Sequence, residues 1–125
     1  MSATDWVDGG LDVDDTVELV HWLENHGVDL IDVSTGANIP ASIPTRPGYQ
    51  VPFAATIKNR THIPTSAVGL ITEPLQAEQI LVTGQADVVM IGREMLRNPH
   101  FPITAAETLQ FDMPYRPAAY GRAYS

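Results

Sequence analysis

The chain has 125 residues, a formal charge of −8 and zero cysteines, and its length suits one domain with a core of its own. The acidic balance argues against a general nucleic-acid binder, whose affinity would come from a basic face. The absence of thiols excludes disulfides, thiolate metal sites and a cysteine nucleophile, and it fits a reducing cytoplasm.

No signal peptide is recognisable, and no apolar stretch approaches membrane-spanning length. The expected partners therefore include neither nucleic acid nor membrane. Acid is concentrated early: residues 1–32 carry nine Asp and Glu and no Lys or Arg. Met1 to Leu11 has no sustained periodicity and reads as a loop. Asp12 or Asp14 can cap a helix running to about Asn25, with Asp15 and Glu18 placed where the helix dipole favours acid. Val13, Val17 and Val20 form its apolar line, Leu19 and Leu23 widen it, and His26-Gly27 ends it.

Val28 to Ser34 reads as the first strand. A long turn-rich loop follows, Thr35 to Gln50, of a length that is often functional in a compact domain. A helix is expected from about Pro52 to Asn59, and a small-residue strand over Pro64 to Leu70. Thr72-Glu73-Pro74 starts another helix, which runs to about Thr83. Asp87 to Ile91 is a short apolar run of the kind buried on both faces in a parallel sheet. It stops at Gly92-Arg93, ahead of a helix-forming segment. A last helix is expected over about His100 to Leu109, and Phe111 to Ser125 reads as an extended arm. The order helix, strand, helix, strand, helix, strand, helix implies parallel strands with right-handed crossovers. Either a small three-layer sandwich or a segment of a (β/α)8 barrel satisfies it, since three strands cannot close a barrel.

In both architectures ligands lie at the carboxyl ends of the strands. Those ends are Ser34-Thr35-Gly36, Val68-Gly69-Leu70 and Gly92-Arg93. Each is small, so a phosphate can approach the backbone, and the last adds a guanidinium. Other chemistry is less well supported. His21, His26, His62 and His100 lack metal-ligand spacing, so no metal is expected. Ser34 and Ser66 have no nucleophile elbow. Asp29 reads as a strand-base residue, on the side of a barrel that serves stability. Trp6 and Trp22 read as packing residues. No general base stands out, and no catalytic residue is assigned.

Gly27-Val-Asp-Leu-Ile-Asp-Val-Ser-Thr-Gly36, Pro47-Gly-Tyr-Gln50, Ala67-Val-Gly69 and Ala86-Asp-Val-Val-Met-Ile-Gly-Arg-Glu-Met-Leu-Arg-Asn-Pro99 resemble, in order and spacing, the Old Yellow Enzyme family. The closest match is to its NADPH dehydrogenase branch. Members are FMN-containing (β/α)8 barrels that reduce activated C=C bonds of enones with hydride from NADPH. The resemblance implies an α/β fold, about strands six to eight of a TIM barrel with their helices over residues 1–110, and an arm over 111–125. It implies that Val68 and Gly69 belong to the phosphate loop after the seventh strand. Gly92 and Arg93 would bind FMN phosphate after the eighth, and Ser34 would lie beside the flavin at the end of the sixth. Tyr120-Gly-Arg-Ala-Tyr124 resembles the branch's C-terminal Tyr-x-Arg segment, with Ala123 where the branch has glycine. Arg122 would then reach a neighbouring subunit's active site in a full-length homo-oligomer.

The family's flavin-tuning residue, its glutamine near the pyrimidine ring and its substrate-anchoring histidines have no counterpart in this sequence. Its strand-five arginine normally precedes the Ser-Ala matched by Ser2-Ala3, where Met1 stands. The expectation is a C-terminal portion of a longer enzyme, at best marginally folded or self-associating when alone, without ene-reductase activity. The alternative is a non-catalytic phosphate- or flavin-binding half-barrel, or a subunit completed by another chain. A different FMN barrel, such as a dihydroorotate dehydrogenase or a tRNA-dihydrouridine synthase, is a third possibility. The last should bring a basic RNA-binding surface, against which the charge of −8 speaks.

Overall fold

The computed structural model describes residues 1–115 and 117–123. In chain order the elements are α1 (Val13–Glu24), β1 (Ile31–Val33), α2 (Val51–Arg60), β2 (Thr65–Ala67), α3 (Pro74–Val82), β3 (Val88–Val89), α4 (Arg93–Arg97), α5 (Phe101–Thr108) and a 3₁₀ turn at Ala118–Ala123. The three strands form one parallel sheet in the order β1-β2-β3. Asp32 pairs with Ser66, and Ser66 with Val88. This is the expected partial (β/α)8 barrel, an arc of parallel strands with its helices on one side.

Helix α1 starts as its sequence dictates. The Asp12 carboxylate accepts from the N–H groups of Asp14 and Asp15, and the Asp15 side chain accepts from the Asp12 N–H, a reciprocal cap. Val17 and Val20 are buried from this helix, and Val51, Ala54 and Ile57 from α2. Against them the sheet presents Ile31, Val33 and Ala67, and Ile80 closes the same core from α3. Ile57, Val20 and Val33 are fully buried, and each such aliphatic side chain contributes about 1.5–3 kcal/mol of transfer free energy. Alternation along a strand sends the neighbours of these residues to the opposite face. That inner face carries Asp32, Ser66 and Val88. The Ser66 hydroxyl donates to the Asp32 carboxylate, while Val88 and nearby Met90 are 39% and 46% exposed.

The amino-terminal stretch differs from the expected loop. The Met1 ammonium donates to the Asp32 carbonyl (2.7 Å), Ser34 N–H to the Met1 carbonyl (2.8 Å) and Ala3 N–H to the Ser34 carbonyl (2.8 Å). Ser2 forms a parallel bridge with Ser34. Met1 to Thr4 thus runs beside β1 as a short parallel edge. Four residues are too few to show a period in the sequence, and the pairing is made chiefly by backbone, with the Ser34 hydroxyl also donating to the Met1 carbonyl.

The strands are shorter than the sequence reading, because Val28 to Leu30 and Gly69-Leu70 lie outside the ladder. Helix α4 is a separate five-residue helix. Trp22 does not pack: its side chain is 69% exposed, on the far side of α1 from the buried valines. The tail is not extended throughout either. Pro117 fixes the backbone ahead of two alanines, Tyr120 N–H donates to the Pro117 carbonyl (2.9 Å), and the Tyr120 ring lies 5.3 Å from that of His100. Tyr124, the last residue of the Tyr120–Tyr124 segment, and Arg116 and Ser125 of the expected arm lie outside the described residues. No helix among the described residues is long and apolar enough to cross a membrane.

Candidate functional site

The carboxyl ends of β2 and β3 enclose a cavity of about 130 Å³, lined by Val68, Gly69, Thr72, Met90, Gly92 and Arg93 among others. Backbone pairing sets this meeting point: Met90 N–H donates to the Ala67 carbonyl (2.8 Å), carrying the β2–β3 ladder one step past the strands. Val68-Gly69 and Gly92-Arg93, separated by more than twenty residues in sequence, become opposite walls of one hollow. A side chain at Gly92 would meet nothing within 4 Å, so the space above its Cα is open.

Gly69 is a different case. Its φ of +117° is open to glycine and strained for other residues, and an added Cβ would lie 2.6 Å from Gln50 Nε2. The cavity wall at this point is bare backbone because two constraints, conformation and space, both require it.

The charges are arranged asymmetrically. Arg97 donates through Nε (2.9 Å) and Nη2 (2.7 Å) to one carboxylate oxygen of Glu94, so these two neutralise each other. The Arg93 guanidinium has no hydrogen bond or ion pair with any described residue, and it is exposed at the cavity. The hollow therefore holds one uncompensated guanidinium beside accessible backbone, which suits an anion of phosphate size. A flavin ring system does not fit it. Pockets for drug-sized ligands measure about 300–1,000 Å³, so only the phosphate end of such a cofactor would be seated here.

The other expected site residues lie elsewhere. Ser34 is half-buried at the carboxyl end of β1, and its hydroxyl donates to the Met1 carbonyl (3.1 Å). It shares the site's end of the sheet but does not line the cavity. Arg122 is exposed in the 3₁₀ turn, remote in sequence from the strand ends. No group of three or more metal-ligating side chains occurs among the described residues.

The residue that sequence reasoning missed is Gln50. It is 5% exposed, immediately precedes α2, and makes no capping bond there. Its Oε1 accepts from both the N–H and the hydroxyl of Thr35, and its Nε2 donates to the Val68 carbonyl (3.2 Å). Gln50 thus joins the ends of β1 and β2. Apart from closing the Pro47-Gly-Tyr-Gln50 segment, its signal in sequence was a polar residue where a helix start calls for a better cap.

The opposite end of the sheet is occupied by structural pairs. Asp87 accepts from Lys58 Nζ (2.8 Å) and from Thr65 N–H (3.0 Å), and these contacts, the lysine first, hold its carboxyl below the usual range. Glu24 accepts from His62 N–H (2.6 Å), which lowers its pKa likewise. Asp29, expected at the strand base, is exposed there.

A parallel barrel segment with a hollow where its last two strands end has the arrangement in which α/β barrels frequently hold phosphate. The sequence profile of the NADH:flavin oxidoreductase / NADH oxidase family matches residues 1–112. The chain belongs to that family. It is 51% identical over 123 residues to an NADPH dehydrogenase of Bacillus cytotoxicus, covering 98% of this chain and 35% of that protein. Similar matches are to the NADPH dehydrogenases of Bacillus licheniformis (51% over 124 residues, 99% and 36%) and Bacillus pumilus (52% over 124 residues, 99% and 36%). The chain thus spans about a third of the length of the curated relatives it matches. Among solved structures, a 2-naphthoyl-CoA reductase in complex with 2-naphthoyl-CoA superposes with a TM-score of 0.77 at 23% identity, over 86% of this chain and 17% of the other. That likeness is one of fold.

Proposed function

We propose that this chain supplies the phosphate end of an FMN site in an NADPH-dependent oxidoreductase that reduces the activated C=C bond of small-molecule enones. The observation carrying this reading is the unpaired Arg93 guanidinium facing bare backbone at Gly69 and Gly92. Family membership supports FMN as the anion's owner and NADPH as its reductant. FMN, when bound, supplies the hydride transfer between nicotinamide and substrate. The residues of this chain bind and orient it. Arg93 pairs with the phosphate, Gly92 and the Val68-Gly69 backbone surround it, and Glu94 keeps Arg97 neutralised so that one cation defines the seat. Ser34, at the end of β1, would lie beside the flavin.

In the complete barrel, further βα units carry the substrate contacts and the rest of the flavin site. Arg122 extends from one copy toward the active site of a neighbour in a homo-oligomer, and the zero-cysteine composition fits a cytoplasmic setting. The second reading is a half-barrel that binds flavin without turnover. Titration with FMN and with riboflavin, followed by flavin fluorescence, tests the seat: FMN should bind at least about tenfold more tightly, because the phosphate adds charge-assisted hydrogen bonds. Equal affinities would sink the assignment. NADPH oxidation in the presence of an enone then separates catalytic from non-catalytic binding.

A further inference from the structure

Gln50 lies outside the cavity, yet it holds one of its walls. Its amide orientation is fixed by chemistry: the Thr35 N–H can only donate, so Oε1 must face it, and the Val68 carbonyl can only accept, so Nε2 must face that. The same turn grips the next residue, since Gly48 N–H donates to the Gly69 carbonyl (3.0 Å). Successive carbonyls of Val68 and Gly69 are thereby held by one short segment. The close approach of Nε2 to Gly69, 2.6 Å from where a Cβ would stand, leaves that backbone little room to turn. Thr35 in turn is buried at the end of β1 and brings that strand's position into the network.

We propose that Gln50 is a positioning residue for the phosphate seat. It locks Val68-Gly69 in the conformation that presents backbone to the anion, and it couples the wall to the end of β1. This inference rests on the phosphate reading of the cavity. A buried side-chain amide using both ends on backbone groups is a rigid connector, because breaking either contact leaves a buried polar group unsatisfied.

The test is a titration of the ¹⁵N-labelled chain with inorganic phosphate, following the amide resonances of Gly69 and Gly92. Wild type should show saturable shifts at both. Gln50→Met keeps volume and neutrality but removes both contacts; it should weaken phosphate binding about tenfold, with the Gly69 resonance displaced even without phosphate. Thr35→Val removes only the hydroxyl donor, leaving the backbone N–H bond, and should weaken binding about two- to threefold. If Gln50→Met does not give a folded spectrum, Thr35→Val decides the matter by the same titration. Wild-type dissociation constants in a folded variant of lowered melting temperature would overturn the positioning role, because a merely structural residue moves stability and not the anion's affinity. Wild type without phosphate shifts at Gly69 and Gly92 would instead sink the seat itself, and this inference with it.

Discussion

The two ends of the parallel sheet are built from similar residues and put to different uses. At the amino-terminal end, Asp87 ties Lys58 of α2 to the first N–H of β2, and Glu24 at the end of α1 accepts from His62. Charge is consumed there in joining helices to strands. At the carboxyl end, the Arg93 guanidinium has no partner among the described residues and stands beside backbone that Gly69 and Gly92 leave bare. Charge is kept available there, and the polar connector, Gln50, is neutral. Barrel enzymes separate stability and ligand binding between their two ends in the same way. The lesson is that a paired carboxylate and an unpaired guanidinium only a short strand apart answer to different demands.

Substitutions at each end can break this contrast. The largest effect is expected at Gly69. Gly69→Ala places a Cβ against Gln50 Nε2 at a backbone angle strained for alanine, so it should lower unfolding free energy by about 2–4 kcal/mol in a urea titration. Gly92→Ala, with open space around its Cα, should change stability by under about 0.5 kcal/mol. Equal losses at both glycines would contradict the asymmetry of the two walls.

Arg93→Ala comes next. Its exposed and unpaired side chain contributes little to folding, but FMN or phosphate affinity should fall about 10- to 100-fold, the value of charge-assisted hydrogen bonds to an anion. A variant that loses stability while keeping its affinity would reverse the roles of the two ends.

Asp87→Asn probes the base. The folded pKa of Asp87 is depressed, so its contribution is present above the ordinary carboxylate range and is lost as pH falls through the lowered folded value. With the side chain 38% exposed, solvent screening limits the loss at neutral pH to about 1 kcal/mol or less. Urea unfolding of wild type and Asp87→Asn should therefore differ at pH 7 and converge in acid. Divergence in acid would mean that the carboxylate is not held ionised by Lys58 and Thr65.

The smallest energetic effect is expected on the inner face. Val88→Ser should leave stability within about 0.5 kcal/mol, as for an exposed position. It should nonetheless reduce self-association in light scattering, since Val88 and Met90 present apolar surface beside an unpaired strand edge. Unchanged association would place the contact elsewhere.

Much of this organisation was legible in the amino-acid order. Asp12 with Asp15, the valine line of α1 and the apolar run before Gly92 announce themselves through spacing, because a cap or a buried face is a matter of neighbours three or four positions apart. That Gly69, Gly92 and Arg93 would meet was legible for a related reason: strand ends in a parallel sheet fall at the same side. What escaped the sequence reading is non-local. Met1 to Thr4 became a strand edge only by pairing with β1. Trp22, read as a packing residue, points to solvent. The tail turned back where Tyr120 meets His100. Gln50 was unremarkable as a letter and became a connector only when folding brought Thr35 and Val68 to its two ends.

The sequence by itself therefore determined the helices, the parallel order of the strands and the residue types at their carboxyl ends. Those depend on local propensity and on the short period of apolar residues. Tertiary structure decided which of the charges would be paired. Arg97 finds Glu94 three residues away, but whether Arg93 or Asp87 has a partner depends on which elements pack beside it. The difference between an end whose charges are paired and an end with an exposed guanidinium is for that reason a property of the assembled sheet.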